Sequence, residues 1–219
     1  MTARDELLAA VAASVPASGR GRAVRVAVDG RDGAGNTVFA DELAAVLRAG
    51  GRPVVRASGD GFHHPRAVRH RRGGRSAEGY WLDAYDHARL AAELLGPLGP
   101  GGSGWVRTAV HDVGTDAALD VAPVLVEPGA VLLLDGLFLH RDELVDFWDF
   151  SIYLQVDISV TFARMAVRDG TPPDPVDPVN ARYAGAQRIY AAACDPATRA
   201  GLVIDNTALA APRVLRARK

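Results

Sequence analysis

The sequence predicts an α/β fold, a parallel sheet with helices on both faces. Three observations carry this reading. First, the β-like run Val24-Arg25-Val26-Ala27-Val28 leads into a glycine-rich stretch, Gly30 to Thr37. A helix-like run from Val38 to Ala49 follows and stops at Gly50-Gly51. Second, further short apolar runs alternate with helical stretches along the chain, which is the pattern of parallel strands joined by crossover helices. Third, those runs are apolar at consecutive positions, as strands buried on both faces require.

Taken in order, Arg4 to Ser14 places Leu7, Leu8 and Val11 at helical spacing. Pro16 to Arg22 is a connector. The first strand then delivers Gly30-Arg31-Asp32-Gly33-Ala34-Gly35-Asn36-Thr37, which fits G-x-x-x-x-G-K-[ST] at every fixed position except the lysine, replaced by Asn36. In such a loop the glycines let backbone N–H groups turn toward phosphate oxygens, and the next helix presents its positive end to the same anion. Thr37 would offer its hydroxyl to Mg²⁺, and the missing lysine is the cation that reaches the β- and γ-phosphates. Val54 to Ala57 reads as a second strand, followed by the polar loop Asp60-Gly61-Phe62-His63-His64-Pro65, where ligand groups of open α/β sheets gather.

Arg66 to Arg75 is strongly basic and includes Arg69. It is a solvated face or a segment that closes over an anionic ligand, with nucleic-acid binding third because the chain is neutral overall and the segment lacks interleaved aromatics. Ser76 to Leu95 is expected to be helical in its second half, with Asp86 as N-cap. Trp105 to Val110 is expected to be a short strand ending in His111-Asp112. Val131-Leu132-Leu133-Leu134-Asp135-Gly136 is a buried strand with an acid at its tip, the shape of a Walker B element. Phe150 to Val156 is another strand. Ser159 to Arg168 is a helix carrying Arg164 and Arg168 one turn apart. Thr171 to Pro178 is a loop or lid tip, Val179 to Cys194 a helix, and Leu202 to Asp205 the last core strand. The basic tail from Pro212 is expected to fray.

The chain's 219 residues suit a single domain with its own lid. A net charge of −1 implies no general attraction to nucleic acid or to an anionic membrane. No uncharged apolar run is long enough to span a bilayer. The single cysteine, Cys194, excludes an intrachain disulfide and suits a reducing cytoplasm. Lys219 is the only lysine, so a cation compensating for Asn36 must be an arginine, and Arg31 lies inside the loop itself.

The loop, Asp60-Gly61-Phe62-His63, Glu78-Gly79-Tyr80 to Tyr85-Asp86, Asp135-Gly136, Arg168-Asp169, Arg182-Tyr183 and Gln187 together resemble the uridine kinase family of P-loop kinases. The similarity is closest to the branch common in actinobacteria and covers Val24 to Asp205. It implies a five-stranded parallel sheet, a lid at about residues 164–182, ATP and Mg²⁺ as cofactors, and a nucleoside-like hydroxyl as acceptor. A homo-oligomer is compatible with it. Within the resemblance, Gly30 to Thr37 bind nucleotide, Thr37 and Asp135 serve the metal, and Asp60 contacts the acceptor hydroxyl. Arg164 and Arg168 meet the transferring phosphate. His63, Arg69, Tyr85, His111, Arg182 and Gln187 fall where acceptor or phosphate contacts occur. The family acid that holds sugar hydroxyls has no secure match; Tyr80 falls near it, with Asp83 and Asp86 close by.

Losing one preorganised donor costs about 3–4 kcal/mol of transition-state stabilisation, so Asn36 implies a rate at least about 10²–10³-fold below that of a lysine-bearing relative. Three readings follow: a weakened or rewired phosphotransferase, a silent descendant that binds nucleotide or nucleoside, or an otherwise ordinary kinase into which Asn36 was introduced.

Overall fold

The computed structural model describes residues 2–17 and 22–218. Six strands form the central sheet: β1 (Val24–Gly30), β2 (Val54–Ser58), β3 (Val131–Gly136), β4 (Phe150–Gln155), β5 (Leu202–Asp205) and β6 (Arg213–Ala217), in the order β6-β5-β4-β1-β3-β2. The first five are mutually parallel, as expected, and β6 runs antiparallel to β5. The tail expected to fray is therefore an edge strand. Arg216 anchors it through Nη2, which donates to the carbonyl of Ala200 at 2.7 Å.

Every residue of β1 is buried because helices cover both sheet faces. Helices α1 (Ala3–Ser14) and α2 (Asn36–Ala49) cover one face, where Leu8, Val11, Phe39 and Leu43 meet Val24, Val26, Leu133 and Ile152. On the other face Ala27, Leu132 and Leu134 pack against Phe62, Leu90, Leu94 and Val106. A third, aromatic cluster joins α3 (Ala77–Asp83) to α5 (Ala181–Cys194) through Tyr80, Phe138 and Tyr190. Helix α4 (Ile158–Asp169) leads into an irregular segment before α5.

Two local expectations change. The stretch 77–95 is helical in both halves. Ser76 caps α3, and Asp86 caps a short second turn by accepting from the Arg89 amide at 2.9 Å. Trp105–Val106 and His111–Asp112 are separate two-residue strands, each paired antiparallel with a different partner. Asp112 turns the chain by accepting from the Gly114 amide at 2.8 Å, which ends the second ribbon almost where it starts.

Register then places the polar ends. Asp135 lies opposite Val28 of β1 and Ser58 of β2, so the C-terminal tips of three strands converge beside the glycine-rich loop.

Candidate active site

The loop between β1 and α2 is an open anion cradle. Gly33 (φ 77°) and Gly35 (φ 95°) lie in the left-handed region, and a Cβ at Gly33 would collide with the Thr161 carbonyl. Gly35 is the N-cap of α2 and provides no side-chain cap. Among the described residues no protein acceptor meets the amides of Gly33, Gly35, Asn36 and Thr37. Unpaired amides at a helix start are what an incoming phosphate satisfies. The loop is braced from behind: Asn206 Nδ2 donates to the Ala34 carbonyl at 2.8 Å, and Arg164 reaches the carbonyls of Gly33 and Ala34 at 3.4 Å each.

Beside the cradle, Thr37 Oγ1 donates to Asp135 Oδ2 at 2.6 Å and Ser58 Oγ reaches the same oxygen at 3.4 Å. Arg56 Nη2 holds the other carboxylate oxygen at 2.8 Å. Hard oxygen donors at a phosphate cradle fit Mg²⁺, which takes one or two protein oxygens and completes its shell with phosphate and water. Among the described residues no denser cluster of three or more acidic, histidine or cysteine side chains competes for a metal.

A cavity of about 300 Å³ opens beside this pair, lined also by Asp32, Asp60, His63, Tyr80, Tyr85 and Tyr183. Asp60 is 66% exposed and accepts weakly from the Tyr85 hydroxyl at 3.4 Å. His63 packs its ring 4.2 Å from that of Tyr85, and burial holds its imidazole below the usual pKa despite hydrogen bonding to the Asp60 carbonyl. Asp32 receives the Tyr80 hydroxyl at 3.1 Å and Gln187 Nε2 at 3.2 Å. Its enclosure nevertheless pushes the carboxyl above the ordinary range. Arg168 lines the cavity while paired with its neighbour Asp169 at 2.7 Å.

The structure thus brings together the loop, Asp60, His63, Tyr85, Asp135 and Arg168, with Gln187 behind Asp32. Other expected residues lie elsewhere. Arg31 turns away into a separate cleft with Tyr153, Gln155 and Asp157, its Nη1 3.5 Å from the Val156 carbonyl, so it is not placed where the missing lysine would act. Arg164 is taken up by backbone carbonyls, including Thr207 at 2.7 Å, and braces the loop. Arg69 donates to the His64 carbonyl at 2.7 Å and pairs with Asp116. His111, buried, stands 3.3 Å from the same Asp116. Arg182 donates to the Gly74 carbonyl at 3.0 Å and lies over the Tyr80 ring. Asn36 folds inward, its Nδ2 3.2 Å from the Gly136 carbonyl, and stitches the loop to β3.

Sequence reasoning passed over three features. Asp29, wholly buried one residue before the loop, accepts from the Gly30 and Leu139 amides, from His140 Nδ1 at 2.7 Å and from the Tyr190 hydroxyl. A second charged residue, besides Arg25, in a strand buried throughout was the available signal. Arg56, half-buried in β2, was another such signal, since a charge carried inside a sheet strand calls for an acid partner. Asn206 carried none, because its partners Ala34 and Arg4 are distant in sequence.

A family model described as phosphoribulokinase/uridine kinase matches residues 25–173. Among solved structures, the chain is similar to one described as a possible uridine kinase from Bacillus stearothermophilus, with a TM-score of 0.71 and 22% identity over 91% of this chain and 96% of that one. A candidate fructose transport system kinase from Silicibacter sp. TM1040 is similar with a TM-score of 0.68 and 25% identity, covering 85% of this chain and 95% of that one. Phosphoribulokinase from Rhodobacter spheroides aligns with a TM-score of 0.56 and 16% identity over 83% and 70% of the two chains. No curated protein matches the chain.

Proposed function

The chain belongs to the phosphoribulokinase/uridine kinase family, and on that premise we propose that it is an ATP-dependent phosphotransferase acting on a nucleoside-like hydroxyl, slowed by Asn36. The whole chain acts as one catalytic unit whose lid spans about residues 164–182, and it works in the cytoplasm. The observation that carries this reading is the row of unpaired loop amides beside the Thr37–Asp135 pair, with Asp60 lining the same cavity.

Bound Mg·ATP supplies the phosphoryl group and the metal's charge. Thr37 and Asp135 would hold the metal, and the loop amides would hold the phosphates. Asp60 orients the acceptor hydroxyl and takes its proton. Arg168, which lines the cavity paired with Asp169, would meet the transferring phosphate. Arg164 keeps the loop in shape. Asn36, turned into the fold, contributes no charge to the phosphates, and Arg31 faces another cleft.

The test is ATP consumption by the present protein and by Asn36→Lys, across a nucleoside and sugar panel. Asn36→Lys is expected to gain about 10²–10³ in rate. Nucleotide binding without transfer in either protein would overturn the kinase reading. It would instead support the silent nucleotide-binding alternative, which the inward fold of Asn36 favours.

A further inference from the structure

The acceptor end of the cavity has an unusual charge arrangement. Asp32 belongs to the phosphate loop, yet its carboxylate faces the acceptor wall with Asp60, Tyr80 and Tyr85. Each Asp32 oxygen receives one donor, from Tyr80 and from Gln187. A carboxylate has about four acceptor positions, so capacity remains for a ligand. The two donors also fix the group in place, on α3 and α5. Asp60 opposes it with one long contact from Tyr85.

Among the described residues one cation, Arg168, lines the cavity with these two acids, and the proposed mechanism commits it to the transferring phosphate. Arg168, the only arginine lining the cavity, is tied to Asp169. The arginines that could have served an anionic acceptor are committed elsewhere. Arg69 is held by the His64 carbonyl and Asp116, Arg71 and Arg72 both pair with Asp83, and Arg182 is held by the Gly74 carbonyl. An acceptor bearing a phosphate or carboxylate would therefore bring like charge against Asp32 and Asp60. An uncharged acceptor with several hydroxyls would donate to both, and its body would lie on the rings of His63 and Tyr85, which stand 4.2 Å apart.

We propose that Asp32 is a specificity-determining residue: with Asp60 it binds the hydroxyls of an uncharged, hydroxyl-rich acceptor and excludes phosphorylated or carboxylate-bearing ones. The proposal rests on the kinase reading for the role of the cavity. It supplies from the loop the hydroxyl-binding acid that has no match at Tyr80.

The test is calorimetry on the full chain with Mg²⁺ and a non-hydrolysable ATP analogue, using matched probes: uridine against uridine 5′-monophosphate, and fructose against fructose 6-phosphate. At least one neutral probe is expected to bind about tenfold or more tightly than its phosphorylated partner. Asp32→Asn, which removes the charge and keeps the shape, should narrow that gap to about threefold or less. A phosphorylated probe binding as tightly as its neutral partner overturns the proposal. So does a gap that Asp32→Asn leaves intact, or failure of both neutral probes to bind at millimolar concentration. Titrating the analogue alone separates the two claims. Absence of analogue binding overturns the kinase reading, while the probe gap measured without nucleotide still decides the role of Asp32.

Discussion

Asp32 carries its charge against its surroundings. Burial raises its folded carboxyl pKa above 3.8, so between those two values the native state holds more proton than the unfolded chain. Stability then falls as pH rises through that window. Asp32→Asn is expected to raise the melting temperature at pH 7, with the gain vanishing near pH 3 where the carboxyl is protonated in both states. Thermal melts across pH check this, and a lower melting temperature at pH 7 would contradict it. His87 shows the opposite window. Burial and Arg141 depress its pKa to about 4 from 6.5. The unfolded chain gains a proton below pH 6.5 that native His87 refuses, so stability is lost between about pH 6.5 and 4. The loss is at most about 3 kcal/mol, and His87→Gln should remove it from a denaturant titration at pH 4.5.

At the scale of elements, α5 is tied to the phosphate loop and the strand before it. Gln187 and Tyr190, three residues apart on this helix, reach Asp32 and Asp29. Tyr190 also accepts from the His140 amide at 3.0 Å. Tyr190→Phe removes a donor to a wholly buried carboxylate and strands that amide, at an expected cost of about 1–3 kcal/mol by chemical denaturation. A second tie sits at the start of α5, where Asn180 Nδ2 donates to the carbonyls of Pro172 and Asp174 at 2.8 Å each. Asn180→Ala should speed amide exchange through residues 171–179 while leaving the sheet strands protected. Equal acceleration in β1 would mean that the segment is not a separately stable unit.

For the whole molecule, the parallel strands bring the loop, Asp60 and Asp135 to one end of the sheet, the C-terminal tips of β1, β2 and β3, and the helices close both faces behind it. None of the described helices is long and apolar enough to cross a membrane. A ligand bound at that end joins α2, β3 and α4, so it should stabilise the entire fold. Mg²⁺ with ATP at a hundred times its Kd would add about 2.7 kcal/mol. The expected readout is a rise in melting temperature that needs nucleotide and grows with Mg²⁺. No rise at millimolar nucleotide would count against the cradle.

Local chemistry determined much of this in advance. The five core strands, the loop from Gly30 to Thr37 and the acid at the tip of β3 each depend on contiguous residues, whose periodicity and backbone preferences act over a few positions. Asp60 was legible for the same reason, as a polar loop following a strand. Tertiary structure alone decided which way the long side chains turned. Arg31, Arg69, Arg164 and Arg182 have similar sequence credentials, yet each guanidinium follows whichever carbonyl or carboxylate the fold brings within reach. The same holds for Asp29, whose partners His140 and Tyr190 lie more than a hundred residues away. A buried charge must be matched by its neighbours, and neighbours across a parallel sheet are distant in sequence.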